Sequence, residues 1–456
     1  MDKGGEWHRS MKIGIISLGC PKNLLDSEVL LGTLQKERHT IVDAIEKADV
    51  VLVNTCSFIE QAREESIQVI LEVVEMKRAG TIKHIVVCGC LPQKFADDLE
   101  REVPDIDAMI GTFTLDKIAE CIENLDKTEA LQKFISQKDE QEHTYYSRYF
   151  LTPVHTKYIK IAEGCDHRCS FCVIPQLRGS YRSRPIEAVL QEARHLVQAG
   201  TKEIILIAQD TSYYGVDFYK KRLLAKLLRA LDDINGLRWL RVLYLYPNNI
   251  DDELIDIIAH SKHMCKYIDI PLQHISDPIL KSMRRNITHK EIRTLIDKLR
   301  TKIPGVALRT SMIVGYPGET YVEFNELLKF IEETRFERLG AFLYSDEKDA
   351  ASFQEKKKVS DKVKKSRYQD LMLMQQDISR EINEAMVGTT TEVIIDGPSE
   401  TEKGYYSGRS YMDAPDIDCQ ILVKKQQGIK VGDIVRVKVK KGFEYDLEGE
   451  YLGTAL

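Results

Sequence analysis

The segment KYIKIAEGCDHRCSFCVIP (Lys157–Pro175) decides how the larger part of this chain is read. Its first eight residues, Lys157 to Gly164, have the character of a buried strand. Cys165, Cys169 and Cys172 follow at once in a C-x3-C-x2-C spacing. Three thiolates on one short loop can ligate three irons of a four-iron cubane and leave the fourth open to a substrate or cofactor. The loop also starts where a barrel strand would end, on the catalytic face of such folds. A structural zinc site is the competing reading, but it needs a fourth Cys or His close by. His167, between the first two cysteines, is poorly placed to supply it.

Working outward, further strand candidates begin at Glu203, Leu237, Tyr267, Ala307 and Arg338, with helical patterns between them. One of these is PIEAVLQEARHLVQAG, where Pro185 suits a first helical turn. Six strand–helix units predict a partial barrel, short of the complete eight. Upstream, KIGIISL (Lys12–Leu18), DVVLVN (Asp49–Asn54), HIVVCG (His84–Gly89) and DAMIG (Asp107–Gly111) are short buried-strand runs. Helical patterns separate them over Asp26–Glu37, with Asp26 as N-cap, and over Ile59–Gly80, stopping at glycine. That alternation predicts a small open parallel α/β sheet.

The polar stretch Asp126–Ser147 is read as a linker, and a charged helix of roughly Ser360–Ala385 is read as leading outward. The remaining C-terminal residues are short, alternating, glycine-punctuated runs, the pattern of a small antiparallel β-barrel. The expected divisions are an N-terminal domain over 11–125, a linker over 126–150, a barrel domain over 151–384 and a β-barrel over 385–456.

Composition narrows the class. Of 456 residues 43% are hydrophobic and 30% charged, and no apolar run reaches the roughly 20 residues of a membrane helix. Met1–Ser10 has no apolar core, so it is read as a short leader and not as a signal peptide. Ten cysteines without a secretion signal favour metal binding in a reducing cytoplasm over a disulfide framework. A net charge of −6 weighs against a mainly phosphate-binding role.

Cys20, Cys56 and Cys90 are distant in sequence, yet SLGCPKN, VNTCSF and CGCLPQ each put one at the C-terminal end of a predicted strand. In a parallel sheet those ends share one edge, where ligands bind. The three thiols can therefore converge, again with three ligands for one cluster. The alternative is three ordinary buried cysteines. Cys88, two residues before Cys90, is the one serious rival ligand; Cys121, Cys265 and Cys419 are read as core or incidental thiols. His274 and Asp210 lie near predicted strand ends, where such residues are more often structural than general bases.

The C-x3-C-x2-C loop at a strand end resembles the radical-SAM superfamily. The resemblance implies S-adenosyl-L-methionine on the open iron, cleaved by one electron to a 5′-deoxyadenosyl radical, and an electron donor of flavodoxin or ferredoxin type. It places Phe171 beside the adenine and SMIVGYPGE (Ser311–Glu319), with Gly315 and Gly318, near the adenosyl group. A cysteine-triad α/β domain, this barrel and a terminal β-barrel together resemble the methylthiotransferases. In that family the N-terminal triad holds a second [4Fe-4S] cluster carrying the sulfur to be transferred, and the C-terminal unit is a TRAM module. The metal ligands implied are thus Cys20, Cys56, Cys90, Cys165, Cys169 and Cys172.

Within the family, SLGCPKNLLDSE, CVIPQLRGSYRSRP, PLQHISDPIL and GRSYMDAPDID look like the branch (RimO-type) acting on an aspartate β-carbon of ribosomal protein S-twelve. The other main branch modifies an adenosine of transfer RNA, and a non-catalytic RNA- or ribosome-binding protein with structural cysteines is a third reading. From Ala385 to Leu456 there are 12 acidic and 9 basic residues, a net of −3, with Asp413, Asp416 and Asp418 close together. An acidic face would suit a basic ribosomal protein. Arg436, Lys438, Lys440 and Lys441 keep direct RNA contact on another face open.

Overall fold

A computed structural model describes residues 10–137 and 148–455. The chain divides into two compact units. The first runs to Leu151 and takes in Glu163–His167 and Val173–Tyr181; the second holds Thr152–Ala162, Arg168–Cys172 and Arg182–Leu456.

In the first unit β1 (Lys12–Ser17), β2 (Thr40–Ile41), β3 (Val50–Thr55), β4 (His84–Gly89), β5 (Ala108–Gly111) and β6 (Gln132–Phe134) form one sheet in the order β2-β1-β3-β4-β5-β6. Every neighbouring pair is parallel. Helices α1 (Pro21–Lys36) and α4 (Ile118–Asn124) cover one face, α2 (Glu60–Arg78) and α3 (Cys90–Glu102) the other. Successive strand residues point to opposite faces. Val50, Leu52, Val86 and Ile110 therefore pack with α1 and α4, and Val51, Val53, Ile85 and Met109 with α2 and α3. Burial on both faces is why these strands are almost continuously apolar.

Two expectations need correcting here. The first helix starts at Pro21 with Cys20 as its N-cap, and Asp26 is an interior residue only 5% exposed. Proline pre-set at the first turn outweighs the capping preference of a later aspartate. Within the stretch read as linker, Gln132–Phe134 pairs with β5 as a sixth strand. Its polar neighbours hid a strand of three residues. Residues 138–147 lie outside the described residues, as do residues 1–9 of the expected leader. Past that stretch Arg148 pairs with buried Glu28 at 2.5 Å, and the Leu151 amide donates to the same carboxylate at 2.9 Å.

The second unit opens with β7 (Thr156–Lys160). Along the chain the two-residue strands β8 (Ala162–Glu163) and β9 (Arg182–Ser183) flank the cysteine loop, which is followed by α5 (Ile174–Arg178) of the first unit. Then come β10 (Glu203–Ile207), β11 (Trp239–Val242), β12 (Tyr267–Asp269), β13 (Ala307–Val314) and β14 (Arg338–Leu343). They form two parallel ribbons, β11-β10-β7 and β12-β13-β14, bridged in parallel at Leu240 and Met264. The crossovers carry α6 (Ile186–Gln198), α7 (Val216–Tyr219), α8 (Leu224–Asp232), α9 (Asp252–His260), α10 (Asp277–Ser282), α11 (His289–Lys302) and α12 (Tyr321–Thr334). This is the expected six-unit partial barrel.

α13 (Asp361–Ala385) does not lead outward: Leu371, Gln375, Ile378, Ser379 and Asn383 on it are buried. Gln375 Nε2 donates to the Phe336 carbonyl at 2.9 Å, and Asn383 Nδ2 to those of Phe443 and Tyr445 at 2.9 and 3.0 Å. Because much of its inward stripe is polar, its sequence looks charged all round. The C-terminal strands β15 (Thr390–Pro398), β16 (Tyr405–Arg409), β17 (Ile421–Lys424), β18 (Ile434–Gly442) and β19 (Leu447–Thr454) close in the order β15-β16-β17-β19-β18. Only the β17–β19 pairing is parallel.

A buried ionic chain joins this small barrel to the larger one. Glu203 accepts from Arg241 at 2.9 Å, both wholly buried, and pairs with Arg409 at 2.9 Å; Arg409 also pairs with Asp396 at 2.8 Å. Burial alone would raise the Glu203 carboxyl, but Arg409 and Arg241 hold it below its ordinary value near 4.5. Its contribution to stability is therefore complete above that value and is lost as acid takes the pH below it. Glu203→Gln leaves two buried guanidiniums undercompensated and is expected to cost about 3–5 kcal/mol in denaturant unfolding at neutral pH. An unchanged unfolding midpoint and slope would contradict this role for Glu203.

Candidate functional site

Strand ends place the N-terminal cysteines. Cys20 caps α1 just after β1, Cys56 follows β3 directly, and Cys90 opens α3 after β4. The three strands are parallel neighbours, so the loops leave at one edge, where the strand order reverses between β1 and β3. Gly19 has φ +84°, and a Cβ there would stand 2.7 Å from Cys56 Cβ and 3.1 Å from its Sγ. Only glycine lets the first two loops approach so closely. Ser66 Oγ accepts from the Cys56 amide at 3.1 Å and donates to its carbonyl at 2.9 Å, while Ser57 Oγ donates to the Cys90 carbonyl at 3.0 Å.

Asn23 ties the edge together. Its Nδ2 donates to the carbonyls of Leu18 at 3.1 Å and Thr55 at 2.8 Å, and its Oδ1 accepts from Arg178. Arg178 is 4% exposed; it also donates to Asp26 at 2.5 Å and to Cys90 Sγ at 3.4 Å, with Glu163 at 3.7 Å. Burial alone would depress this guanidinium, but Asp26, the Cys90 sulfur and Glu163 more than reverse that. Burial pushes the Cys56 thiol up to about 12, and the charges of Cys90 and Cys20 add to the push. Burial likewise raises Cys90, against the opposing pull of Arg178. Sequence reasoning assigned no role to Asn23 or Arg178 and read Asp26 only as a helix cap, although SLGCPKNLLDSE and CVIPQLRGSYRSRP carry them.

Cys88 and Cys121 lie in the core on the α1 and α4 side. Burial pushes Cys265 and Cys419 up to about 12. Cys88, Cys121 and Cys265 are buried and Cys419 is partly exposed.

In the C-x3-C-x2-C loop, Cys165 is buried and its amide donates to the Gly179 carbonyl at 3.1 Å. A Cβ on Gly164, at φ +79°, would meet the Ser180 carbonyl oxygen at 2.1 Å. In the second unit the Cys172 amide donates to the Cys169 carbonyl at 3.1 Å, and Ser170 Oγ contacts the Tyr316 hydroxyl at 2.8 Å. Arg285 Nη1 donates to Cys169 Sγ at 3.6 Å, braced by the Pro271 carbonyl at 2.6 Å and the Tyr246 ring at 4.3 Å. Phe171 and Ile313 pack against a cluster of Ile279, Met283, Tyr316 and Tyr344. The aromatic residue of the loop and the SMIVGYPGE motif thus share one apolar cluster.

Gly315 (φ +76°) and Gly318 (φ +88°) both take left-handed backbone. The Gly315 amide donates to the Glu319 carboxylate at 3.0 Å, and a Cβ there would meet Lys364 Cγ at 2.3 Å. Gly318 has open space, so its requirement is conformational alone. Glu319 is held by Arg367 at 2.6 Å and faced by His274 Nε2 at 3.4 Å. His274 Nδ1 accepts from the Ser276 amide at 3.0 Å, and Asp210 accepts from Ser212 at 2.9 Å and Asn249 at 3.0 Å. Both are committed to local structure. Tyr244 (φ +63°) and Gln273 (φ +75°), just beyond β11 and β12, are strained non-glycine positions that no sequence pattern announces.

The acidic face expected on the small barrel is corrected by the structure. Asp413 is 1% exposed and pairs with Arg338 at 2.6 Å; Asp418 accepts from Tyr267 at 2.6 Å and pairs with Arg309 at 3.3 Å. Of the three only Asp416 is exposed. The local acid count answers buried arginines of the larger barrel, not a basic partner.

Among the described residues no group of three or more His, Cys, Asp or Glu is gathered tightly enough to hold a single metal ion. A four-iron cubane spreads its ligands more widely than one ion does. The N-terminal donor set fits that group: three thiols at one edge, a glycine where the loops meet, and a buried cation beside one sulfur.

Residues 12–111 match the uncharacterized protein family UPF0004, residues 159–331 the radical SAM superfamily, and residues 387–452 the TRAM domain. The ribosomal protein uS12 methylthiotransferase RimO of Desulforamulus reducens is 44% identical over 442 residues, 96% of this chain and 99% of that protein. Its counterpart in Geobacter sulfurreducens is 46% identical over 97% and 98% of the two chains. Among solved structures, the radical S-adenosylmethionine methyltransferase TsrM of Kitasatospora setae superposes with a TM-score of 0.54 at 15% identity, covering 93% of this chain and 80% of its own, a likeness of fold alone. The chain belongs to the ribosomal protein uS12 methylthiotransferase (RimO) family of radical-SAM enzymes.

Proposed function

We propose that this enzyme inserts a methylthio group at the β-carbon of an aspartate of ribosomal protein uS12. The near full-length match to the RimO relatives carries this reading. Cys165, Cys169 and Cys172 would hold one [4Fe-4S] cluster, and Cys20, Cys56 and Cys90 a second. When bound, the clusters and S-adenosyl-L-methionine supply the radical, sulfur and methyl chemistry. The chain's own residues bind and orient. Phe171 offers an apolar face beside the loop, and Gly315 and Gly318 shape the turn after β13. Asn23 and Ser66 fix the backbone on either side of Cys20 and Cys56.

The TRAM match and the outward residues Arg436 and Lys438 of β18 favour contact with ribosomal RNA beside the protein substrate. No described helix is long and apolar enough to cross a membrane; a ribosomal substrate supports a cytoplasmic location, and the family resemblance supports a flavodoxin- or ferredoxin-like electron donor.

Mass spectrometry of uS12 from cells with and without this enzyme is expected to show a methylthio mass gain on one aspartate only when it is present. An unchanged uS12, with 2-methylthio-adenosines lost from transfer RNA instead, would sink this substrate assignment. In the reconstituted enzyme, Cys169→Ala is expected to abolish reductive cleavage of S-adenosyl-L-methionine, whereas Cys56→Ala keeps cleavage and loses methylthio transfer. Equal loss of cleavage in both variants would contradict the division of roles.

A further inference from the structure

Arg178 is a buried cation at the N-terminal edge. It follows Cys172 by six residues in sequence, yet its guanidinium is spent on Asn23, Asp26 and Cys90. The nearest carboxylates, Asp26 and Glu163, are 5% and 4% exposed, so the whole group is shielded from water. A guanidinium stays charged there, and its planar fork reaches a carboxylate and a sulfur together.

From this geometry we infer that Arg178 is a positioning residue that sets the reduction potential of the second cluster through the Cys90 sulfur. The inference rests on the reading of Cys20, Cys56 and Cys90 as that cluster's ligands. Adding one electron to a cluster adds one negative charge beside the fixed cation. The attraction is strong where water is excluded, so the cation stabilises the reduced form more than the oxidised one. Asp26, on the same guanidinium, acts in the opposite direction and holds the fork in place. Removing Arg178 and removing Asp26 therefore shift the potential in opposite directions.

The test uses the full chain, anaerobically reconstituted, with Cys165, Cys169 and Cys172 replaced by alanine so that only the second cluster is read. Redox titration followed by electron paramagnetic resonance compares the parent, D26N and D26N/R178Q. R178Q alone would remove the cation that faces two buried carboxylates, so the double variant, which also neutralises Asp26, is the informative one. D26N is expected to titrate at a higher potential than the parent. D26N/R178Q is expected to fall below D26N by at least roughly tenfold in the reduced-to-oxidised ratio, about 59 mV for a one-electron couple. Equal potentials for D26N and D26N/R178Q at equal iron content would overturn the inference and leave the cluster reading standing. A parent that loads no cluster in this background would overturn both.

Discussion

Parallel strands end on the same side of their sheet, and the chemistry of this chain depends on that constraint. In the first unit it delivers Cys20, Cys56 and Cys90 to one edge from three neighbouring strands, although 36 and 34 residues separate them. In the second it puts Cys169 and Cys172, which follow β7, and the glycine turn after β13 beyond strand ends of one partial barrel. The backbone direction supplies the rough placement. Side chains finish it: Asn23 takes one carbonyl from each of two cysteine loops, and Phe171 shares an apolar cluster with Tyr316.

Buried ions are the second recurring device. Arg178 with Asp26, Glu203 with Arg241 and Arg409, and Arg338 with Asp413 are all withdrawn from water. Replacing such a pair by well-packed apolar groups is often neutral, but removing one partner is not. Their value is therefore more in fixing which surfaces meet than in net stability. Arg409 and Asp413 make the point, since both belong to a short segment that docks the small barrel on the larger one by charge as well as by shape. Two buried arginines also donate to cysteine sulfur, Arg178 to Cys90 and Arg285 to Cys169, one beside each cysteine set.

Much of this was legible in the sequence. The six barrel strands stand out because strands buried on both faces are nearly all apolar, and the cysteine loop because its ligands are contiguous. Other features were hidden for identifiable reasons. β6 is too short and polar to show periodicity. The inward face of α13 carries Gln375, Ser379 and Asn383, so its amphipathic pattern is diluted. Asp413 and Asp418 read as an acidic surface because composition cannot tell a solvated carboxylate from one paired with a buried arginine. Asn23 and Arg178 lie in motifs noted for resemblance, but their meeting is a tertiary fact that spacing does not encode.

We propose that two separate cysteine triads each hold a four-iron cluster. Iron and sulfide counting on the anaerobically reconstituted chain addresses it most directly, alongside variants lacking one triad or the other. About eight iron atoms per chain, falling to about four when either triad is replaced by alanine, is the predicted result. A parent that takes up only about four, unaffected by loss of Cys20, Cys56 and Cys90, would contradict it.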